Sequence, residues 1–212
     1  MSAFAERVLQ DLRKIDELSK ALAGRVSIKS TSGNPVNTVH LELDFPTAPS
    51  SSYPNQIQKK TLVKIELLSR YPFQEPMATI TTPIYHPNVY SSGRVCLGAK
   101  WLPTQGLDLL VKRIIQIITF DNSILNEASP ANRDALVWYR SASVANPGAF
   151  PTDKLIVKEP ASSKIGWSNV PVGSEEKALV SCPFCRTSLR LAKGKKGNLT
   201  CPKCNAKFYV ET

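Results

Sequence analysis

Four of the chain's five cysteines stand in the run CPFCRTSLRLAKGKKGNLTCPKC, as two C-x-x-C pairs, Cys182 with Cys185 and Cys201 with Cys204. Two intervening residues let both sulfurs of a pair reach one tetrahedral ion. Fifteen residues separate the pairs, which is the C-x2-C-x15-C-x2-C spacing of a tetrathiolate zinc site. The arm between them is long enough for a hairpin, GKKGN supplies its turn, and LRL and KFYVET read as short strands beside the metal. A module of about 35 residues cannot stabilise itself by burial, so the ion supplies much of its folding energy. Four protein ligands leave no open position for water, and the single Zn2+ is therefore structural. The expectation is a zinc ribbon over residues 177–212; a redox dithiol is the other chemistry such pairs perform. Basic ribbons bind nucleic acid or protein, and some only cap a fold. Protein docking or substrate recruitment is the role expected here.

The fifth cysteine, Cys96, makes the count odd, which argues against a disulfide framework in a reducing compartment. No stretch approaches the ~20 uninterrupted apolar residues of a membrane helix. The opening MSAFAERVLQDLRK is charged from its sixth residue and lacks the apolar block of a secretion signal. A soluble, cytoplasmic protein without a membrane partner is expected. The net charge of +10 permits nucleic-acid or acidic-protein partners without choosing between them. Its densest cluster is Lys193, Lys195 and Lys196.

Ahead of the ribbon the hydrophobic period changes along the chain. Phe4, Val8, Leu12, Ile15 and Leu22 recur at mostly three- to four-residue spacing, with Arg7, Arg13, Lys14 and Lys20 between them. That predicts an amphipathic helix with an exposed basic face, closed by Gly24. Val39, Leu41, Leu43 and Phe45 alternate with polar residues as a half-buried strand, and Val63, Ile65 and Leu67 do so in a second. Met77 to Thr81 is a weaker third strand, and FPTAPSSSYPN reads as a loop. Short strands joined this way suggest an antiparallel meander. From Leu107 to Phe120 two sides are apolar, which predicts a buried central helix; another runs from Ala131 to about Ser143, with Leu136 and Tyr139 on one face. The fold class is α+β. The domain is expected over residues 1–145, and residues 146–176, punctuated by Pro and Gly, as a linker that Leu155, Ile156, Val157 and Trp167 could dock.

Within this domain HPNVYSSGRVCLG, residues 86–98, poses a chemical question. Free cysteine is among the most buried residue types, and Val95 and Leu97 are the neighbours a core position would have. A Cys–His dyad is poorly supported, because His40 falls on the outward face of a strand and His86 in a His-Pro-Asn turn. Ser91, Ser92 and Gly93, however, put Cys96 on an accessible turn. Asn88 offers a side-chain amide able to support a developing oxyanion. A thiol and an amide donor without a general base suit thioester exchange.

With those residues in place, YPFQEPMATITTPIYHPNVYSSGRVCLG followed by WLPTQGLDLLVKRIIQIITFDN resembles the catalytic core of the ubiquitin-conjugating enzymes. The motifs are Tyr71-Pro72-Phe73, Tyr85-His86-Pro87-Asn88, Gly93, Cys96-Leu97, Trp101 and Pro103, with SPANRDA from Ser129 to Ala135 leading into a helix. The resemblance implies that Cys96 accepts and donates ubiquitin or a ubiquitin-like protein as a thioester, with no cofactor for the transfer. It implies that Asn88 stabilises the oxyanion or orders a loop, that His86 is structural, and that Ser129 lies beside the incoming lysine. Phe73, Leu102 and Pro103, with Arg7 and Lys14 of the first helix, would form the surface shared by the activating enzyme and ligases. Ordinary loop packing is the other reading of the three apolar residues. Gly98 departs from the polar residue that commonly follows Cys-Leu, and Ser129 lacks a carboxylate. The linker and ribbon lie outside the family's core pattern, which suggests a bacterial or archaeal ubiquitin-like conjugation system. A non-catalytic adaptor of the same fold, or a nucleic-acid-binding zinc-ribbon protein, are the alternatives.

Overall fold

The computed structural model describes residues 2–154, 177–192, 194 and 196–211. It divides into two compact units, Met1–Ala161 and Ser162–Thr212. Leu155, Ile156, Val157, Trp167, Lys193 and Lys195 lie outside the described residues.

The first unit opens with α1 (Ala3–Ala21), whose first turn is capped by the Ser2 hydroxyl accepting from the Ala5 N–H. Val8, Ile15 and Leu18 form its buried stripe. The helix ends where Ala23 and Gly24 turn to positive φ, 54° and 80°, and the Gly24 N–H returns to the Ser19 carbonyl. Four antiparallel strands follow in sequence order, β1 (Val26–Ser32), β2 (Thr38–Leu43), β3 (Thr61–Glu66) and β4 (Met77–Ile80). The alternation read in the sequence is the burial pattern of β2 and β3, since Val39, Leu41, Leu43, Val63 and Ile65 all point into the core. Strand β1 has no such signature. It is an edge strand that buries only Val26 and carries a register shift between Ile28 and Ser30.

Helix α2 (Leu107–Ile118) supplies seven buried aliphatic residues to a core shared with α1 and the sheet. Each contributes roughly 1.5–3 kcal/mol of burial, which makes this helix the principal hydrophobic element of the unit. Helix α3 (Arg133–Ala145) starts at Asn132, whose side chain accepts from the Ala135 N–H. It packs Tyr139 and Trp138 into a second, aromatic cluster with Tyr53, Phe120 and Phe150.

That cluster moves the boundary expected at residue 145. Phe150 lies 4.8 Å from Phe120 and 5.0 Å from Tyr139, ring centre to ring centre. The Tyr53 hydroxyl donates to the Ala149 carbonyl (2.7 Å), and the Thr152 N–H donates to the Thr119 carbonyl (2.9 Å). Arg25, stacked on Phe45, also pairs with Asp153. Residues 147–153 are thus part of the first unit, because an aromatic anchor and several polar ties, among them the Thr152 hydroxyl on the Pro46 carbonyl, hold them there. Among the described residues no helix is long and apolar enough to cross a membrane.

The second unit contains two antiparallel hairpins, β5 (Lys177–Ser181) with β6 (Ser188–Ala192) and β7 (Lys196–Thr200) with β8 (Lys207–Glu211). The sequence reading placed one hairpin between the cysteine pairs, with GKKGN as its turn. Lys196 to Asn198 belong instead to β7, and each C-x-x-C forms the tip of its own hairpin. The two tips repeat each other. Cys182 N–H donates to the Thr187 carbonyl (3.0 Å) and Cys201 N–H to the Ala206 carbonyl (2.9 Å). Arg186 and Asn205 occupy the same left-handed position, both at φ 58°.

Candidate active site and candidate metal centre

The segment 86–96 is a folded-back loop laid along β4. Tyr90 N–H bonds the Arg94 carbonyl (2.9 Å), Gly93 N–H bonds the Tyr90 carbonyl (2.8 Å), and Val89 bridges Val95. Val95 N–H donates to the Ala78 carbonyl and Ile80 N–H to the Gly93 carbonyl, both at 2.9 Å. Gly93 sits at φ 82°, and a Cβ there would lie 2.2 Å from the Ile80 carbonyl oxygen. Only glycine lets this loop lie against the strand. Cys96 follows at the loop's exit, half-buried, with its N–H on the Asn88 carbonyl (2.8 Å). It opens on a groove of about 640 Å3 lined also by Glu75, Met77, Tyr90, Arg94 and Ala99. The next turn is fixed from α2, where Arg113 Nε donates to the Leu97 carbonyl (2.6 Å). Gly98 adopts φ 66°, a left-handed position that favours glycine.

Asn88 is buried, and both ends of its amide are used. Nδ2 donates to the Ile124 carbonyl (3.1 Å), and Oδ1 accepts from the Asn126 N–H (3.1 Å). Asn126 Oδ1 in turn accepts from the Ser129 N–H (3.0 Å), and Ser129 is exposed. Asn88 thus joins the Cys96 turn to the 124–129 loop that carries Ser129. Asn132 N–H adds a second tie, to the Pro87 carbonyl (3.0 Å).

His86 is fully buried against Phe120, ring centres 4.2 Å apart, and its Nδ1 accepts the Asn88 N–H (2.9 Å). Burial pushes its pKa down to about 3, so the ring is neutral with the proton on Nε2. A neutral, enclosed imidazole whose Nδ1 is already taken holds the turn and is no base for the thiol. The folded pKa lies below the unfolded value near 6.5, so the unfolded state takes up the proton first as pH falls. This contribution to stability is complete above pH 6.5 and is lost on acidification towards pH 3. Denaturant titrations should show stability falling by about 1.4 kcal/mol per pH unit from this one site below pH 6.5. His86→Asn keeps an acceptor for the Asn88 N–H but cannot titrate, and should flatten that slope between pH 6.5 and 5. An unchanged slope would assign it elsewhere.

Around Tyr71 lie the residues expected to form the partner surface, drawn from three segments. Phe73 is 78% exposed and Leu102 49%, Lys14 is exposed on α1, and Pro103 is half-buried. Arg7, expected on the exposed basic face, is turned inward. Its Nε donates to Asp11 (2.7 Å), its Nη1 to the Pro103 carbonyl (2.9 Å), and its Nη2 to the Gln105 carbonyl. Asp11 is fully buried and was not singled out in the sequence. It also accepts from the Tyr71 hydroxyl, and from the Leu107 N–H (3.3 Å) at the start of α2. Burial, and then the bond to Asp11, keep the Tyr71 phenol protonated. Trp101 Nε1 closes the arrangement on the Pro72 carbonyl (2.7 Å).

In the second unit the four cysteine sulfurs lie within 4.8 Å of one another. Cys182 and Cys204 are 3.7 Å apart, and Cys185 and Cys201 are 3.6 Å apart. A tetrahedron with metal–sulfur bonds of about 2.3 Å has edges of about 3.8 Å, so the set fits one tetrathiolate ion. The Thr187 hydroxyl and N–H hold the Cys185 thiol below its ordinary pKa, favouring the thiolate that a metal needs.

Comparison with known proteins places this geometry. The chain is 36% identical over 78 residues to human ubiquitin-conjugating enzyme E2 T, covering 36% of this chain and 40% of that one. It is 34% identical over 91 residues to the ubiquitin-conjugating enzyme E2 of African swine fever virus, covering 36% and 39%. The chain spans about two fifths of the length of the curated relatives it matches. A structure of human ubiquitin-conjugating enzyme E2 G1 superposes with a TM-score of 0.40 at 21% identity, covering 52% of this chain and 92% of that one. The family model described as ubiquitin-conjugating enzyme matches residues 7–146, which hold the Cys96 loop, the Asn88 tie and the Tyr71 surface. By that match over most of the first unit, the chain belongs to the ubiquitin-conjugating enzyme family.

Proposed function

We propose that the chain carries ubiquitin or a ubiquitin-like protein as a thioester on Cys96, received from an activating enzyme and passed to a lysine amine or to a ligase. The observation that supports this most is the half-buried Cys96 thiol facing an open groove, on a turn that Asn88 locks to the 124–129 loop. In the first transfer the Cys96 thiolate attacks the carbonyl carbon of the modifier's C-terminal thioester. A new S–C bond forms, and the activating enzyme's thiolate leaves. In the second, a lysine amine attacks the same carbon. The C–N bond forms, the C–S bond breaks, Cys96 leaves as thiolate and the ammonium proton passes to water. Asn88 and the Asn126–Ser129 link position the loop beside that carbonyl, while Phe73, Leu102, Pro103 and Lys14 offer the partner surface that Arg7 braces. Cys182, Cys185, Cys201 and Cys204 would hold one Zn2+, whose role is structural because all four positions are filled by sulfur.

With the cognate modifier, its activating enzyme and ATP, Cys96 should form an adduct that thiol reductant cleaves. Cys96→Ala should abolish it. Cys96→Ser and Cys96→Lys should give an ester and an amide that survive reductant. An adduct persisting in Cys96→Ala, or none forming at all, would overturn the reading.

A further inference from the structure

The ribbon holds most of the chain's net positive charge. Residues 177–212 contain eight Lys or Arg and one Glu, a surplus of seven out of the chain's ten. A zinc tetrathiolate offsets about two of these, so the module remains strongly cationic. Charge alone makes a solvated surface; the second observation is where the aromatics stand. Phe184 is 68% exposed and Tyr209 63%, although a module of about 35 residues would gain by burying either ring.

Their positions follow a pattern. On the paired strands β7 and β8, Lys196, Asn198, Thr200, Lys207 and Tyr209 are exposed, while Gly197, Leu199, Phe208 and Val210 are half-buried. Tyr209 stands opposite Asn198 and Lys207 opposite Thr200, so this outward face carries an aromatic ring among lysines. The two tips extend the theme: Phe184 occupies in the first C-x-x-C the place that Lys203 occupies in the second, and both are exposed. Flat rings for bases and spaced cations for phosphates are the two components of a sequence-tolerant single-strand surface.

We propose that the ribbon binds single-stranded nucleic acid, with Tyr209 and Phe184 as stacking platforms and Lys203, Lys207 and Arg186 on the phosphates. This would bring conjugation chemistry to a nucleic-acid scaffold, yet the binding needs no modifier and stands or falls apart from the Cys96 reading.

The test is fluorescence anisotropy of labelled oligo(dT) and oligo(U) of about 20 nucleotides with the zinc-loaded full chain, metal content being checked for every variant. Neutralising about four phosphates gives a log–log salt slope near −3, so affinity should fall roughly 50-fold between 50 and 200 mM salt. Tyr209→Ala and Phe184→Ala, each retaining one zinc per chain, should each weaken binding about tenfold. Lys203→Glu with Lys207→Glu should reduce the slope by about 1–2. A duplex of the same length should bind more weakly than either single strand. Binding that is salt-dependent but indifferent to both aromatic substitutions would overturn the proposal in favour of a plain polyanion surface. No binding at 50 mM salt would overturn it outright and leave an acidic protein as the ribbon's partner.

Discussion

With the four ribbon cysteines holding zinc as proposed, chelation should unfold residues 177–211 while the first unit keeps its secondary structure. Among the ribbon residues whose burial is described, Cys182 and Cys201 are the buried ones, so sulfur atoms stand where a core would. Two two-stranded hairpins do not hold themselves together in water. Zinc bound to four thiolates supplies about 10–16 kcal/mol at neutral pH in small modules of this type, far more than the half-buried Leu189, Leu199, Phe208 and Val210 can provide. Amide resonances of 177–211 should collapse to the random-coil range when a strong chelator is added, and one equivalent of Zn2+ should restore them. Cys185→Ser should weaken zinc binding steeply, since a serine hydroxyl does not ionise near neutral pH. Dispersed ribbon resonances persisting in metal-free protein would show that the fold rests on something other than the tetrathiolate.

The second large effect is expected at Asp11. Its carboxylate is fully buried and serves Arg7, the Tyr71 hydroxyl and the Leu107 N–H together. Asp11→Ala leaves a guanidinium without its counter-ion, a buried phenol without an acceptor, and the first turn of α2 without its cap. Breaking a buried pair from one side costs about 3–5 kcal/mol, and for a unit of this size that lowers the melting temperature by roughly 10 °C. Replacing both Arg7 and Asp11 by leucine should cost less than Asp11→Ala, because no uncompensated charge remains. Calorimetry on the three variants measures the coupling. A loss below about 1 kcal/mol for Asp11→Ala would mean that water reaches the site and the network is not a brace. Arg7 also holds the carbonyls of Pro103 and Gln105, so transfer from the activating enzyme should slow in Asp11→Ala even where the protein remains folded.

These two sites differ in how far the chain alone discloses them. Metal ligation is a local property: two residues between sulfurs and fifteen between pairs specify a tetrahedral set whatever surrounds it. Alternation over Val39 to Leu43 and the apolar run from Leu107 to Ile118 are likewise local, since each records which faces of an element are buried. Cys96 and Asn88 stand out as candidates because glycine, proline and serine mark their turn.

Partners are not recorded in this way. Asp11 sits among charged residues in α1 and reads as solvated. Only the packing of α1 against Tyr71 and Leu107, sixty and ninety-six positions away, buries it and turns Arg7 inward. Asn88 could be expected at the site, but its tie to Ile124 and Asn126 exists only once the loop after α2 returns to it. Strand β1 escaped notice because an edge strand with one buried residue leaves no alternation. Residues 147–153 read as linker because Pro and Gly outnumber the single ring, Phe150, that docks them. The sequence by itself determined the helices and the alternating strands, which cysteines can share an ion and which turn carries the thiol, because those depend on spacing along the backbone. The tertiary structure alone decided which polar groups are buried together, because a hydrogen bond or ion pair between distant segments depends on where the chain returns and not on any period within it.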